Sequence, residues 1–231
     1  MNVIFTYCSF KDGAEWSPFL YRMSLLAIGS AKKWIKDAHT VLYCDKSSYK
    51  YLKSIKSLDE AHIIDYDSYD FDKRFWCFPK FISYSLQDKP FVHIDLDICI
   101  TKDITIPSTD IVSERLRMFD GESEELRHID NKLPVPESIY CSGIFGGTNI
   151  KFFKEFFEHA SEVCSKKNLM NEEVKYEHLY SLEEAWTTQK FLQRNMRVST
   201  LEDESYIHFW QKPKEQFDTE IRKIIRQNNY I

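Results

Sequence analysis

Glycine is scarce in this chain, at 6 of 231 residues. That excludes a collagen-like chain and makes each glycine informative. Cysteine is present but never clustered. The six lie at positions 8, 44, 77, 99, 141 and 164, with no Cys-x-x-Cys pair and no Cys/His spacing of a zinc site. Several stand in apolar runs, as Cys99 does between Ile98 and Ile100, where cysteine acts as a small buried hydrophobe. Reduced thiols and a cytoplasmic setting are expected. Positive charge is not in excess either: 31 Lys+Arg against 36 Asp+Glu leave a net charge of -5. Such a chain has no overall field to hold nucleic acid, and no nucleic-acid partner is expected. No apolar run approaches the roughly 20 residues a bilayer-spanning helix requires, so no transmembrane segment is expected. The opening Met1 to Tyr7 lacks a basic stretch and a small-residue cleavage site, and reads as a first strand, not a signal peptide.

What is present is an ordinary globular composition, 43% hydrophobic and 29% charged, rich in aromatics with 17 Phe, 13 Tyr and 5 Trp. The apolar pattern predicts strands at Val3 to Tyr7, His39 to Cys44, Ala61 to Tyr66 and Phe91 to Ile94. Helices are predicted at Pro18 to Asp37, Ser47 to Leu58 and Phe75 to Leu86. Strand and helix thus alternate over the first 97 residues, the pattern of a parallel sheet with helices on both faces. Further on, Thr109 to Phe119 begins as a strand, Asp120 to Pro136 reads as a loop, and Ser138 to Phe145 reads as a strand or turn before Gly146-Gly147. Helices follow at Asn149 to Lys166 and Leu182 to Arg194, then a short strand at Tyr206 to Trp210 and a charged amphipathic helix at Phe217 to Asn228. No repeat, low-complexity tract or Pro/Gly-rich linker divides the chain, so one domain over 1–231 is expected.

The sharpest chemical signal is Phe91-Val92-His93-Ile94-Asp95-Leu96-Asp97. Two carboxylates spaced i and i+2 directly follow a buried strand, and in an open parallel sheet ligands bind at the carboxyl ends of strands. Asp95 and Asp97 there are hard oxygen ligands for Mn²⁺ or Mg²⁺, and such an ion would neutralise a diphosphate leaving group. The bland alternative is a solvated turn with two surface acids. Haloacid-dehalogenase phosphatases also end a strand in Asp-x-Asp. They carry it near the N-terminus and want a later Gly-Asp or Asp-Asp pair, which occurs nowhere in this chain.

Three segments, in order, resemble nucleotide-sugar glycosyltransferases of the GT-A fold. The first runs Phe75-Trp76-Cys77-Phe78-Pro79-Lys80-Phe81 to Leu86 and on through Lys89-Pro90 to Asp97. It is similar to an uncharacterised bacterial family related to glycogenin-type transferases. The second, Tyr140-Cys141-Ser142-Gly143-Ile144-Phe145-Gly146-Gly147, has Cys141 where glycogenin-like enzymes have Asn before Ser-Gly. The third, Tyr206-Ile207-His208-Phe209-Trp210-Gln211-Lys212-Pro213, resembles a C-terminal His…Lys-Pro segment. The resemblance implies His208 as third metal ligand and Lys212 on the diphosphate. It also implies a mixed, mostly parallel GT-A-like sheet flanked by helices. Residues 1–97 would form a nucleotide-binding half, 98–212 a donor-sugar and acceptor half, and 213–231 a C-terminal helix.

Other positions follow from that architecture. Thr6 and Tyr7 end strand one, where base and ribose would lie, and Tyr7 is either a stacking ring or a core aromatic. Arg74 or Lys80 is a candidate for the donor phosphates or sugar. Ser142 and Gly143 would line the sugar, since Gly lacks Cβ. Glu183-Glu184 open a helix; the resemblance implies an acidic residue here that contacts the sugar or deprotonates the acceptor hydroxyl, and Glu184 is the candidate base, against a plain helix-dipole role. His93 reads as a core or supporting histidine. The resulting expectation is a metal-dependent hexosyltransferase using a UDP-sugar and a hydroxyl acceptor. The alternatives are a non-catalytic nucleotide-sugar binder of the same fold and, further off, the phosphatase.

Overall fold

The computed structural model describes residues 1–9, 18–119, 135–165, 181–201, 203–209 and 214–228. In chain order, β1 (Asn2–Tyr7) leads through α1 (Pro18–Trp34) to β2 (His39–Cys44), then α2 (Lys46–Leu52) to β3 (Glu60–Ile63). A 3-10 turn (Tyr66–Ser68) and α3 (Phe78–Ser85) precede β4 (Phe91–Ile94) and β5 (Ile98–Ile100). Next come β6 (Ile111–Ser113), β7 (Leu116–Met118), β8 (Ser138–Tyr140), β9 (Ile144–Gly147) and α4 (Ile150–Cys164). A π-helical turn (Ser181–Trp186) runs into α5 (Thr187–Gln193), followed by β10 (Val198–Thr200), a second 3-10 turn (Asp203–Ser205), β11 (Tyr206–His208) and α6 (Lys214–Asn228). The class is α/β with mostly parallel strand pairing. The elements fall into two compact units. The first is built from Met1–Tyr66, Phe91–Ile106 and Glu202–Ile231, the second from Asp67–Pro90 and Pro107–Leu201.

In the first unit β4, β1, β2 and β3 lie side by side in that order, all parallel. The central residues of β4, β1 and β2, among them Val3, Ile4, Phe5, Val41, Leu42, Phe91 and Val92, are almost fully buried, while β3 at the edge is largely exposed. Continuous apolar runs of this kind suit a sheet covered on both faces. The chain winds from β1 outward to β2 and β3, then returns to place β4 on the other side of β1. That reversal is a topological switch point, and the crevice beyond the carboxyl ends of β1 and β4 is where ligands bind in such sheets. Ile4 pairs with His93 in the register of these two strands.

A separate antiparallel ribbon joins β5 to β11, with Ile98 opposite His208 and Ile100 opposite Tyr206. Ile98, Cys99 and Ile100 are all buried, and burying each isoleucine contributes roughly 1.5–3 kcal/mol. The Ile100 amide donates to Ser30 Oγ of α1 at 3.0 Å. Helix α6 is tied to α1 by Arg22 Nε donating to Asp218 Oδ1 at 2.8 Å and by Lys33 Nζ donating to Asn228 Oδ1 at 2.9 Å.

In the second unit β6 pairs with parallel β10 and antiparallel β9, while β7 and β8 form their own antiparallel ribbon. Helices α3 and α4 meet through rings: Phe81 and Phe156 lie edge to face with centroids 4.9 Å apart, and Phe153 likewise meets Tyr84 at 5.9 Å. Asn149 caps α4 by accepting from the Phe152 amide at 3.2 Å. Gly147 has φ +140, and a Cβ there would lie 2.2 Å from the Asp110 carbonyl oxygen. Only glycine allows the end of β9 to pass this close to the backbone entering β6.

Several predicted boundaries shift. The helix expected at 47–58 is regular only over Lys46–Leu52; tight turns follow, with Ile55 N bonding to Leu52 O and Leu58 N to Ile55 O, and Ile55 still buried. The strand begun at Thr109 divides into β6 and β7, because Glu114 and Cys141 pair across the break, Glu114 N donating to Cys141 O at 3.3 Å. The helix expected from Leu182 opens as a π-helical turn.

Candidate functional site

Each unit holds one group of the residues singled out by sequence. In the first unit they gather at the switch point. His93 is buried in β4. Its Nε2 lies 3.2 Å from Thr6 Oγ1 on β1, and its Nδ1 lies 3.5 Å from Asp95 Oδ1. One imidazole therefore links the ends of the two strands that flank the crevice. Asp97 follows in the turn before β5. The β5–β11 ladder continues past its last pair, Phe209 N donating to Asp97 O at 2.9 Å, and this holds β11 against the acidic turn. His208 Nε2 consequently sits 3.5 Å from Asp97 Oδ2, with side chains 19% and 25% exposed. That exposure leaves both groups open to a ligand while the ladder fixes their backbones.

Tyr7 is half-buried, and burial, then the nearby Asp45 and Cys8, raises its phenol pKa. Asp45, at the end of β2, went unnoticed in the sequence. It caps α2 by accepting from Ser48 N at 2.8 Å and also accepts from Ser9 N at 2.6 Å. Burial pushes its carboxyl up, but hydrogen bonds from Ser47, Ser9 and Ser48 outweigh it and hold the pKa below the ordinary value.

Asp97 and His208 offer a carboxylate and an imidazole, the donor types manganese accepts. Asp95 engages His93. Among the described residues, no three His, Cys, Asp or Glu side chains form a ready ligand set. The fit is thus a pair of donors, with Asp95 on the same strand end. Lys212 lies outside the described residues.

The second unit gathers Lys80, Ser142, Glu183 and Glu184 into one buried network. Lys80 is 8% exposed; its ammonium pairs with Glu183 Oε1 at 2.8 Å and donates to the Ser142 carbonyl at 3.0 Å. Tyr84 donates to the same Glu183 oxygen at 3.3 Å. Glu184 Oε1 accepts from Ser142 N at 3.1 Å and Ser142 Oγ at 3.3 Å. Its Oε2 accepts from Arg117 Nη2 at 3.0 Å. Burial raises the Glu184 pKa and Glu183 adds to the rise, while Arg117 and the Ser142 amide oppose it. Buried Cys141 has its thiol pushed up to about 11 by burial, with Glu184 and Glu114 contributing. Gly143 is buried beside Ser142.

Both carboxylates project from the π-helical turn Ser181–Trp186, a rare form that often marks functional sites. Arg117 and Tyr84 are partners that the sequence pattern left unassigned. The signal for Arg117 is a charged residue whose strand neighbours, Leu116 and Met118, are the exposed ones. Arg74, the other basic candidate, instead pairs with Asp72 at the surface.

A protein-family profile described as a family of unknown function, DUF6734, matches residues 16–227. The chain belongs to that family. The match takes in Asp95, Asp97, His208 and the Lys80–Glu184 network, and begins after Thr6 and Tyr7. None of the curated proteins matches the chain.

Proposed function

We propose that this DUF6734 chain is a GT-A-like glycosyltransferase that moves a hexose from a nucleotide diphosphate sugar, UDP-linked, to a hydroxyl acceptor. The observation that carries the reading is the meeting of Asp97 and His208 at 3.5 Å at the switch point of a parallel sheet, where such folds take their ligands. A bound Mn²⁺ or Mg²⁺ would supply electrostatic stabilisation of the departing diphosphate. Asp97, His208 and Asp95 are the residues that would hold it, with the donor's own oxygens completing the set. His93 steadies Asp95, and Thr6 and Tyr7 line the base and ribose, Tyr7 offering a ring face. In the same reading Lys80, Ser142 and Gly143 serve the donor sugar, Lys212 the diphosphate, and Glu184 the acceptor hydroxyl.

One observation favours a second reading, nucleotide-sugar binding without turnover. Both oxygens of Glu184 already accept hydrogen bonds, from Ser142 and Arg117, and a base must have a lone pair to offer the acceptor.

A thermal-shift panel of UDP-, GDP- and CDP-sugars, with Mn²⁺ and then with EDTA, tests the class. A UDP-sugar at about 100 times its Kd stabilises by about 2.7 kcal/mol, and the expected shift appears with metal only and vanishes in Asp97→Ala. A full shift in that variant, or no shift with any donor, sinks the proposal. Release of free UDP then separates the transferase from the binder.

A further inference from the structure

We infer that the lysine face of α2 docks the protein onto an anionic membrane surface. Residues 46–58 contain four lysines, Lys46, Lys50, Lys53 and Lys56, and no acid. This +4 segment sits in a chain of net charge -5, so the other residues together carry -9. Lys46, Lys50 and the capping residue Lys53 recur at i, i+4 and i+7, a single stripe on the helix. Ser48, Leu52 and Ile55 are buried on the opposite side. All four lysines are exposed, and none is in an ion pair with the described residues; Lys53 lies over the Tyr49 ring at 5.8 Å.

Of the acids that bracket the segment, Asp59 is paired with Lys32 at 2.6 Å and accepts from the Thr40 amide at 2.8 Å. Asp45 keeps its charge but turns it towards Ser9, Ser47 and Ser48, so four lysines still outnumber it. Helices α4 and α6 mix both signs; α1 also carries only cations, Arg22, Lys32 and Lys33, but Arg22 is paired with Asp218 and Lys32 with Asp59.

Charge complementarity selects the partner. Lysines are mobile point charges without the planar fork that arginine offers to a defined phosphate, so a stripe made only of lysine suits a diffuse negative potential. Tyr51, 48% exposed beside the stripe, has the amphipathic ring found at headgroup level. Each lysine near an anionic leaflet is worth about five-fold in partitioning.

The test is co-sedimentation of the full chain with phosphatidylcholine vesicles, with and without 30 mol% phosphatidylserine. This loading is about that of an anionic leaflet. Binding is expected only with phosphatidylserine and is lost at 0.5 M salt, about the level where screening becomes short-ranged. Replacing all four lysines by alanine is expected to lower partitioning on the order of a few hundred-fold, with an unchanged melting temperature as the folding control. Lys151→Ala with Lys154→Ala, two exposed lysines of α4, leaves binding intact. Equal binding to both vesicle types, or full binding by the four-lysine variant, overturns the inference. So does tighter binding of a poly(U) strand through the same lysines, which would make the partner a nucleic acid.

Discussion

In the first unit acids meet cations at the surface: Asp59 with Lys32, Asp218 with Arg22 and Arg222, Glu60 with His39. Hydrogen bonds from those partners hold the Asp59 and Asp218 carboxyls low despite burial, and His39 does so for Glu60. The second unit has such surface pairs too, Asp72 with Arg74 and Glu155 with Arg194, but it also takes acids inside. Glu183 and Glu184 are 7% and 5% exposed, and for Glu184 burial prevails and the pKa rises. Exposed pairs are worth little to stability, whereas a buried charge depends heavily on its partner. The candidate ligands Asp97 and His208 follow the first pattern and the Lys80 network follows the second. Damage to the Asp97–His208 pair should therefore be read in ligand binding with little change in stability, whereas damage to the Lys80 network should also cost folding free energy.

The sharpest way to break this contrast is Lys80→Met. It leaves Glu183 buried without its ammonium, and is expected to cost about 3–5 kcal/mol in urea unfolding, with Glu183→Gln in the same chain recovering part of the loss. Gly147→Ala should cost at least about 1–3 kcal/mol, since its Cβ would strike the Asp110 carbonyl; a native melting temperature would refute the close approach. Next comes pH. Glu184 has a pKa above its ordinary 4.5, so just above pH 4.5 the folded form keeps a proton that the unfolded form releases. Stability from this group therefore falls as pH rises through that window, and Glu184→Gln should flatten the slope. Asp59 and Asp218 act oppositely, their contribution being lost as pH falls below the ordinary carboxylate range. The smallest change is expected for Asp97→Asn, within about 1 kcal/mol of wild type in unfolding, alongside loss of the metal-dependent donor shift. A large destabilisation there would show that the Asp97–His208 pair is structural.

The bounds of β2 and β4 were legible to the residue, because apolar residues dominate each strand and an aspartate, Asp45 or Asp95, directly follows it. By contrast β5 and β10 escaped notice. Ile98-Cys99-Ile100 is a three-residue strand hard against the acidic turn, and Val198-Ser199-Thr200 has no apolar run at all. Asp95 and Asp97 stand out because two acids after a buried strand break its pattern. Their distinct partners, His93 for one and His208 for the other, depend on register and on the β5–β11 ladder, which no local pattern encodes. Lys80 was singled out only for its charge. That it would be buried against Glu183 follows from the packing around α3 and the π-helical turn, elements far apart in the chain.

The pairing of β5 with β11, and of α1 with α6, joins early and late stretches of the first unit. During synthesis β5 and α1 emerge long before their partners, so their apolar faces wait unpaired until Tyr206–His208 and Lys214–Asn228 have been made. Contacts this distant in sequence make folding slow, and β5 and α1 are exposed to misassembly for as long as β11 and α6 are missing.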